Sequence, residues 1–382
     1  MTTAVHILYI VIGVIGIVIV ADAAVRTFVV PRGTVVHLTV TTFRTLRYAF
    51  NLVLRTRKTY ESRDRVMALY APLALLALPL VSLIIVFVAY AFIYTGLENH
   101  GFRDAFITSG SSLLTLGFEE PPDLPSTFVA FSEALVGLSL LALVIAYLPV
   151  IYSAFSRRET AVTDLSIRAG NPPTPVEFLT RAHLTGFLYD MDDFWSNWMM
   201  WFTEVQETHT SYGALPLFRS PNPNRSWVIA AGAVLDTASI RLSALDMPWT
   251  PQAPLMIRSG FLALREITGF YGFDYDPDPA PDDPISITRE EFDEVCNTLA
   301  ARGVPLRDDR DQAWADFEGW RVNYDAVLLS IAAFVSAPYA PWVSDRSPVQ
   351  PLPFYPRGRK RREIAGRGGR HESARPKTDP PR

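Results

Sequence analysis

The residues best placed to do chemistry in this sequence are Thr115-Leu116-Gly117-Phe118 and three nearby carboxylates, Glu119, Glu120 and Glu133. The tetrapeptide holds no acid, base or strong nucleophile, so what it can offer is its backbone. It follows a short stretch of helical pattern, Asp104 to Leu114, and lies between two long apolar runs. Leu69 to Gly96 contains no Asp, Glu, Lys or Arg, and Leu124 to Ser156 contains only Glu133. A spanning helix needs about 20 apolar residues, so both flanks qualify and the middle piece does not. Irregular backbone sits at membrane depth only where protein or water satisfies its polar groups. The pattern predicts helix, re-entrant loop, helix, with a water-filled path beside the loop. An ordinary loop outside the membrane is the plainer alternative.

In that setting the stretch resembles the pore domain of the potassium-channel superfamily. The filter of that family reads TVGYG, and its backbone carbonyls replace the hydration shell of the ion. Thr115, Leu116, Gly117 and Phe118 stand in register with its first four positions, and Glu119 stands where the family has its second glycine. Gly137 falls at the place of the family's flexible inner-helix glycine, and the resemblance covers roughly Arg65 to Arg158. One loop is a quarter of such a filter, so the resemblance implies a homotetramer around a path for potassium or another monovalent cation. It implies that Thr115 to Phe118 coordinate ions through their carbonyls, with the Thr115 hydroxyl adding a ligand. Glu119 and Glu120 would form an outer carboxylate ring, and Gly137 would be the hinge of the inner helix. The missing second glycine departs from the pattern. It implies weaker discrimination of potassium from sodium, or else a non-conducting loop in a membrane-anchored sensor or scaffold.

Stepping outward, the chain has 382 residues, 49% of them hydrophobic, with a net charge of −4. The apolar residues crowd into the first 156 positions. The run from Ala4 to Val25 has no preceding Lys or Arg, which a secretory signal requires, and reads as a retained span. Basic residues follow it, from Arg26 to Arg65, and such clusters stay cytoplasmic. The resulting division is an N-terminal transmembrane helix (1–30), a basic cytoplasmic linker (31–65), a pore domain (66–158), a helical cytosolic domain (159–344) and a disordered basic tail (345–382). The N-terminus lies outside the cell membrane and the C-terminal domain in the cytoplasm. Val35 to Leu54 suits either a helix on the inner membrane surface, beside lipid, or a plain linker.

The later half carries helix signals and no catalytic motif. Thr174-Pro175-Val176-Glu177 and Thr288-Arg289-Glu290-Glu291 are capping boxes. Asp192 to Glu207 is rich in Phe and Trp. Arg225 to Leu245 is apolar enough to raise a fourth span, but Asp236 and Arg241 would each cost roughly 2.5–3.5 kcal/mol on insertion, so a buried helix is expected. A last helix from Asp308 to Val335 carries a heptad-like seam (Ala313, Phe317, Trp320, Tyr324, Val327, Ile331, Phe334). It would face its own domain or a second subunit. His183 and His209 have no metal-ligand spacing, the acidic loop Asp274 to Pro284 lacks the EF-hand pattern, and no phosphate-binding glycine loop occurs. No enzyme, cofactor or metal is expected. Near-neutral charge argues against nucleic acid, and the single cysteine, Cys296, excludes an intrachain disulfide. Arg357 to Arg362 reads as a solvated tail or an anionic-lipid contact. Glu133 either accepts hydrogen bonds behind the filter, stays protonated, or sits near the membrane interface. The expectation is an all-α membrane protein: three transmembrane helices, a re-entrant pore helix and filter loop, and an α-helical cytosolic domain, working as a passive cation channel.

Overall fold

The computed structural model describes residues 3–30, 36–57, 60–97 and 101–346. Among them every regular element is helical. By length and composition, Thr3–Phe28, Ser62–Leu97, Leu124–Ala169 and Trp227–Ala244 are each apolar enough to cross a membrane.

Helix α1 (Thr3–Ala24) loosens into a π-helical turn over Val25–Val29. It lies along α4 (Tyr70–Leu97), with Tyr9 stacked on Phe92 at 5.7 Å between ring centroids. Between them come α2 (His37–Leu54) and the short α3 (Tyr60–Ala68), which leads almost directly into α4. Fully buried Tyr70 fixes that junction: its hydroxyl donates to the Phe43 carbonyl at 3.1 Å, and its ring meets those of Phe43 and Phe50 edge-on.

Helix α5 (Phe102–Leu113) has 12 residues. At 1.5 Å per residue it measures about 18 Å, short of the ~30 Å hydrocarbon core. It packs against both α4 and α6 (Leu124–Ala169). The start of α6 follows from its sequence: Asp123 accepts the Ser126 amide at 2.9 Å, and Pro125 lies in the first turn, where its missing N–H costs nothing. With 46 residues, α6 is about 70 Å long, more than the roughly 40–45 Å thickness of a whole bilayer. The expected division at 158/159 falls within this one continuous helix. No linker separates the apolar and polar parts: α6 runs on past Pro149 and stops only before Gly170, at φ 84°.

The C-terminal half is built around α9 (Trp227–Ala244), which is buried along its whole length. Helices α7 (Pro175–Leu184), α8 (Asp192–Ser211), α10 (Gln252–Phe270), α11 (Arg289–Ala301), α12 (Arg310–Arg321) and α13 (Asp325–Val335) complete it. Both capping boxes start helices where the sequence places them: Thr174 accepts the Glu177 amide, and Thr288 and Glu291 cap each other. The expected helix from Arg225 begins two residues later, at Trp227.

The single helix expected over Asp308 to Val335 is two. The chain turns at 322–324, where the Asn323 side chain donates to the Gly319 carbonyl at 3.0 Å. The seam survives the turn, and Ala313, Phe317, Tyr324, Val327, Ile331 and Phe334 are buried in this chain's own core, with Trp320 packed against it. The fold also extends past the expected start of the tail at 345. Arg346 holds Glu291 through both terminal guanidinium nitrogens, one at 2.8 Å. The remainder of that segment, with Arg357 to Arg362, lies outside the described residues.

Candidate functional site

The α5–α6 loop is where backbone chemistry concentrates. Helix α5 ends at Leu113, and the chain then alternates: Thr115 has φ 55° and Gly117 φ 68°. Glycine takes such a conformation freely, whereas threonine is strained there. The alternation stops before Glu119, which does not adopt positive φ. The reason the loop curls back is a single buried serine. The Leu116 and Gly117 amides donate to the Ser111 carbonyl at 2.8 and 3.4 Å, and the Phe118 and Glu119 amides donate to its hydroxyl at 3.1 Å each. With four successive N–H groups taken up on one side, the carbonyls of Thr115 to Phe118 accept no hydrogen bond among the described residues. Leu116, Phe118, Glu119 and Glu120 are all exposed.

Behind the loop lies Glu133 of α6, with no exposed surface. Its two oxygens are 2.5 Å from Ser109 Oγ of α5 and 3.1 Å from the Tyr94 hydroxyl of α4. One carboxyl thus ties three helices together. Ser109 Oγ also lies 2.9 Å from the Phe87 carbonyl oxygen. One turn further along α6, Gly137 meets the end of α5. A methyl group there would fall 2.9 Å from Leu113 Cδ1 and 3.0 Å from the Leu113 carbonyl oxygen. Gly137 is therefore a close-approach position, and α6 continues unbroken through it.

Toward the other end of α6, Arg158 is buried and plugs the helix into the C-terminal half. It donates to Glu159, to the Leu215 carbonyl at 3.1 Å and to the Phe218 carbonyl at 2.8 Å. Its Nη1 also lies 3.2 Å from His209 Nε2. A guanidinium only donates, so Nε2 must be the acceptor and the imidazole neutral. Burial, reinforced by the Arg158 charge, holds His209 well below its ordinary pKa.

The structure thus groups Thr115, Leu116, Gly117, Phe118, Glu119 and Glu120 on one loop, with Glu133 and Gly137 directly behind it on α6. It also brings in Ser109, Ser111 and Tyr94, which the sequence pattern does not single out. The one signal for the two serines is the run at 109, 111 and 112 on a short helix between two long apolar segments. Serine is a middling helix former that seeks backbone partners. No family model, no curated protein and no solved structure matches the chain.

Proposed function

We propose that the chain is a passive cation channel, with potassium the first candidate ion, assembled as a homotetramer. One observation carries this reading: the loop turns four amides onto Ser111 and leaves the carbonyls of Thr115 to Phe118 unpartnered. Unpartnered carbonyls at membrane depth are costly unless water or a cation meets them. A single strand offers one carbonyl at each level and encloses nothing, so the reading requires copies around an axis. In such an assembly α4, α5 and α6 are outer helix, re-entrant helix and inner helix, and Thr115 to Phe118 form the filter. Glu119 and Glu120 concentrate cations at its mouth. The continuous α6, locked by Arg158, carries rearrangements of the cytosolic half directly to the membrane segment.

Flux of potassium from liposomes containing the purified full chain tests the proposal. Valinomycin-independent potassium release, abolished by Gly117→Asp, is the expected result; an intact tetramer that releases none overturns it. That outcome favours the second reading, a membrane-anchored sensor or scaffold, for which the glutamate at position 119 speaks. Selectivity is a finer test. Glu119→Gly should raise potassium over sodium permeability, and a native protein already strictly potassium-selective contradicts the role given to Glu119. For orientation, a cysteine at Glu120 should react with an impermeant maleimide on intact cells. One at Ile167 should react only after permeabilisation, and native Cys296 is buried and silent. The opposite pattern would invert the topology.

A further inference from the structure

The surface beside α2 and α3 concentrates basic residues. Several arginines elsewhere hold carboxylates: Arg157 with Glu204, Arg181 with Glu177, Arg289 with Asp293 and Asp311. On α2, α3 and the turn between them, Arg44, Arg55, Arg57, Arg63 and Arg65 make no ion pair and no side-chain hydrogen bond among the described residues. The nearest described acid, Asp64, is turned inward and paired with Arg219. Among the described residues these five arginines therefore have no counter-charge along this edge.

Between these two helices runs an open groove of about 460 Å³. Its walls are apolar, from Phe50 and Val53 on α2 to Val66 and Leu69 at the end of α3, and Arg57 and Arg65 line it as well. Val53 and Leu69 are exposed at 46% and 58%. The groove is continuous with the candidate span Ser62–Leu97, so it opens where a membrane surface would meet the protein. An apolar trough flanked by uncompensated guanidinium groups at that level matches one kind of molecule.

We propose that this groove binds an anionic glycerophospholipid from the leaflet nearest the C-terminal half. Its phosphate sits between Arg57 and Arg65, and one acyl chain lies along Phe50, Val53 and Val66. Guanidinium suits phosphate because its donors match two oxygens at once, and a basic side chain at an anionic surface is worth roughly fivefold in affinity. The proposal rests on α4 crossing the membrane and is independent of whether the loop conducts.

The test uses the delipidated full chain in neutral detergent, titrated separately with dioleoyl phosphatidylglycerol, dioleoyl phosphatidylcholine and inorganic phosphate. Retained lipid is counted by native mass spectrometry. Phosphatidylglycerol should be retained in clear preference to phosphatidylcholine, and inorganic phosphate should not displace it. Arg57→Ala with Arg65→Ala should lower retention roughly 25-fold, whereas the Arg57→Lys, Arg65→Lys pair should keep most of it. Val53→Trp, which fills the trough without changing charge, should also release the lipid, and Arg103→Ala on α5 should not. Equal retention of both lipids, or of phosphatidylglycerol by the alanine pair and native chain, overturns the proposal. Displacement by inorganic phosphate would mark a free-anion site instead. Insensitivity to Val53→Trp would mean a diffuse electrostatic film without a groove site, and either result rejects it.

Discussion

Helices α6 and α9 look alike in composition and differ in nearly everything else. Each is apolar enough to cross a membrane and each carries one carboxylate deep within its apolar stretch. Only 17% of the most apolar stretch of α6 is buried, against 100% for α9. Glu133 on α6 has two hydroxyls for company and no cation. Asp236 on α9 is paired with Arg321, with the Tyr324 hydroxyl at 2.8 Å, and Arg321 in turn reaches Asp325 and the Trp342 carbonyl. Apolar composition therefore does not distinguish the two helices. The separation comes from whether the same chain covers the helix, and from whether its charge has a counter-charge.

Breaking the two carboxylate sites should show the difference most strongly. Asp236→Ala leaves Arg321 buried with part of its partnership, and should cost about 3 kcal/mol, the low end for a broken buried pair. Glu133→Gln keeps an acceptor and similar volume and should cost about 1 kcal/mol. All eight tryptophans lie at position 195 or beyond, so denaturation followed by fluorescence reads the C-terminal half. The first variant should shift that transition strongly and the second leave it nearly unmoved. Equal shifts would erase the contrast between the helices.

Two glycines sharpen it. A methyl at Gly232 of α9 would meet only side-chain ends, Val343 Cγ2 at 2.8 Å and Leu328 Cδ2 at 3.0 Å, whereas one at Gly137 meets the Leu113 backbone. Side chains yield and backbone does not, so Gly137→Ala should cost about 2 kcal/mol and Gly232→Ala about 1 kcal/mol. Thermal melting by circular dichroism should register the first, with little change in tryptophan fluorescence. A larger loss for Gly232→Ala would contradict the geometry.

His209 should give the contact between α6 and the C-terminal half a pH dependence. Its folded pKa is depressed by burial and then by Arg158, so below its ordinary value of about 6.5 the unfolded chain binds a proton that the folded chain refuses. Stability is full above that value and falls as pH drops below it. His209→Gln retains an acceptor for Arg158 and should flatten the profile; an unchanged slope would place the titrating group elsewhere.

These contrasts also show how much the chain discloses before it folds. The helices, their caps at Thr174 and Thr288, and the buried fate of α9 are legible because local hydrogen bonding and the insertion cost of Asp236 and Arg241 decide them. The loop residues Thr115 to Glu120 are legible from one short helix between two long apolar runs. Their support is not. Ser111 matters because the chain doubles back onto it, and Tyr94 and Ser109 because three helices converge at Glu133. The turn at 322–324 is equally hidden, since apolar spacing continues through it and only the Asn323 contact to Gly319 breaks the helix. Arg346 sits in a basic-looking tail, and its partner Glu291 is 55 positions away.

That last pair is the surface counterpart of Arg321 and Asp236, and it should respond least. Hydrogen bonding to Arg346 holds Glu291 down to about 2, but both side chains reach solvent, at 19% and 33% exposure. Solvent screens such a pair and chain entropy opposes it, so its worth is about 0.5 kcal/mol, well below what the shift alone would suggest. The sign is that of a depressed carboxylate: the contribution is present above the ordinary glutamate range and fades as pH falls toward about 2. Arg346→Ala should therefore lower the fluorescence midpoint slightly at pH 7, and 0.5 M salt should shrink even that difference. At pH 2 the variant and the native chain should be indistinguishable. A loss at pH 7 as large as that of Asp236→Ala would mean that Arg346 anchors the chain end onto the Ser286 carbonyl, 2.7 Å from its Nη1, rather than serving a screened surface pair.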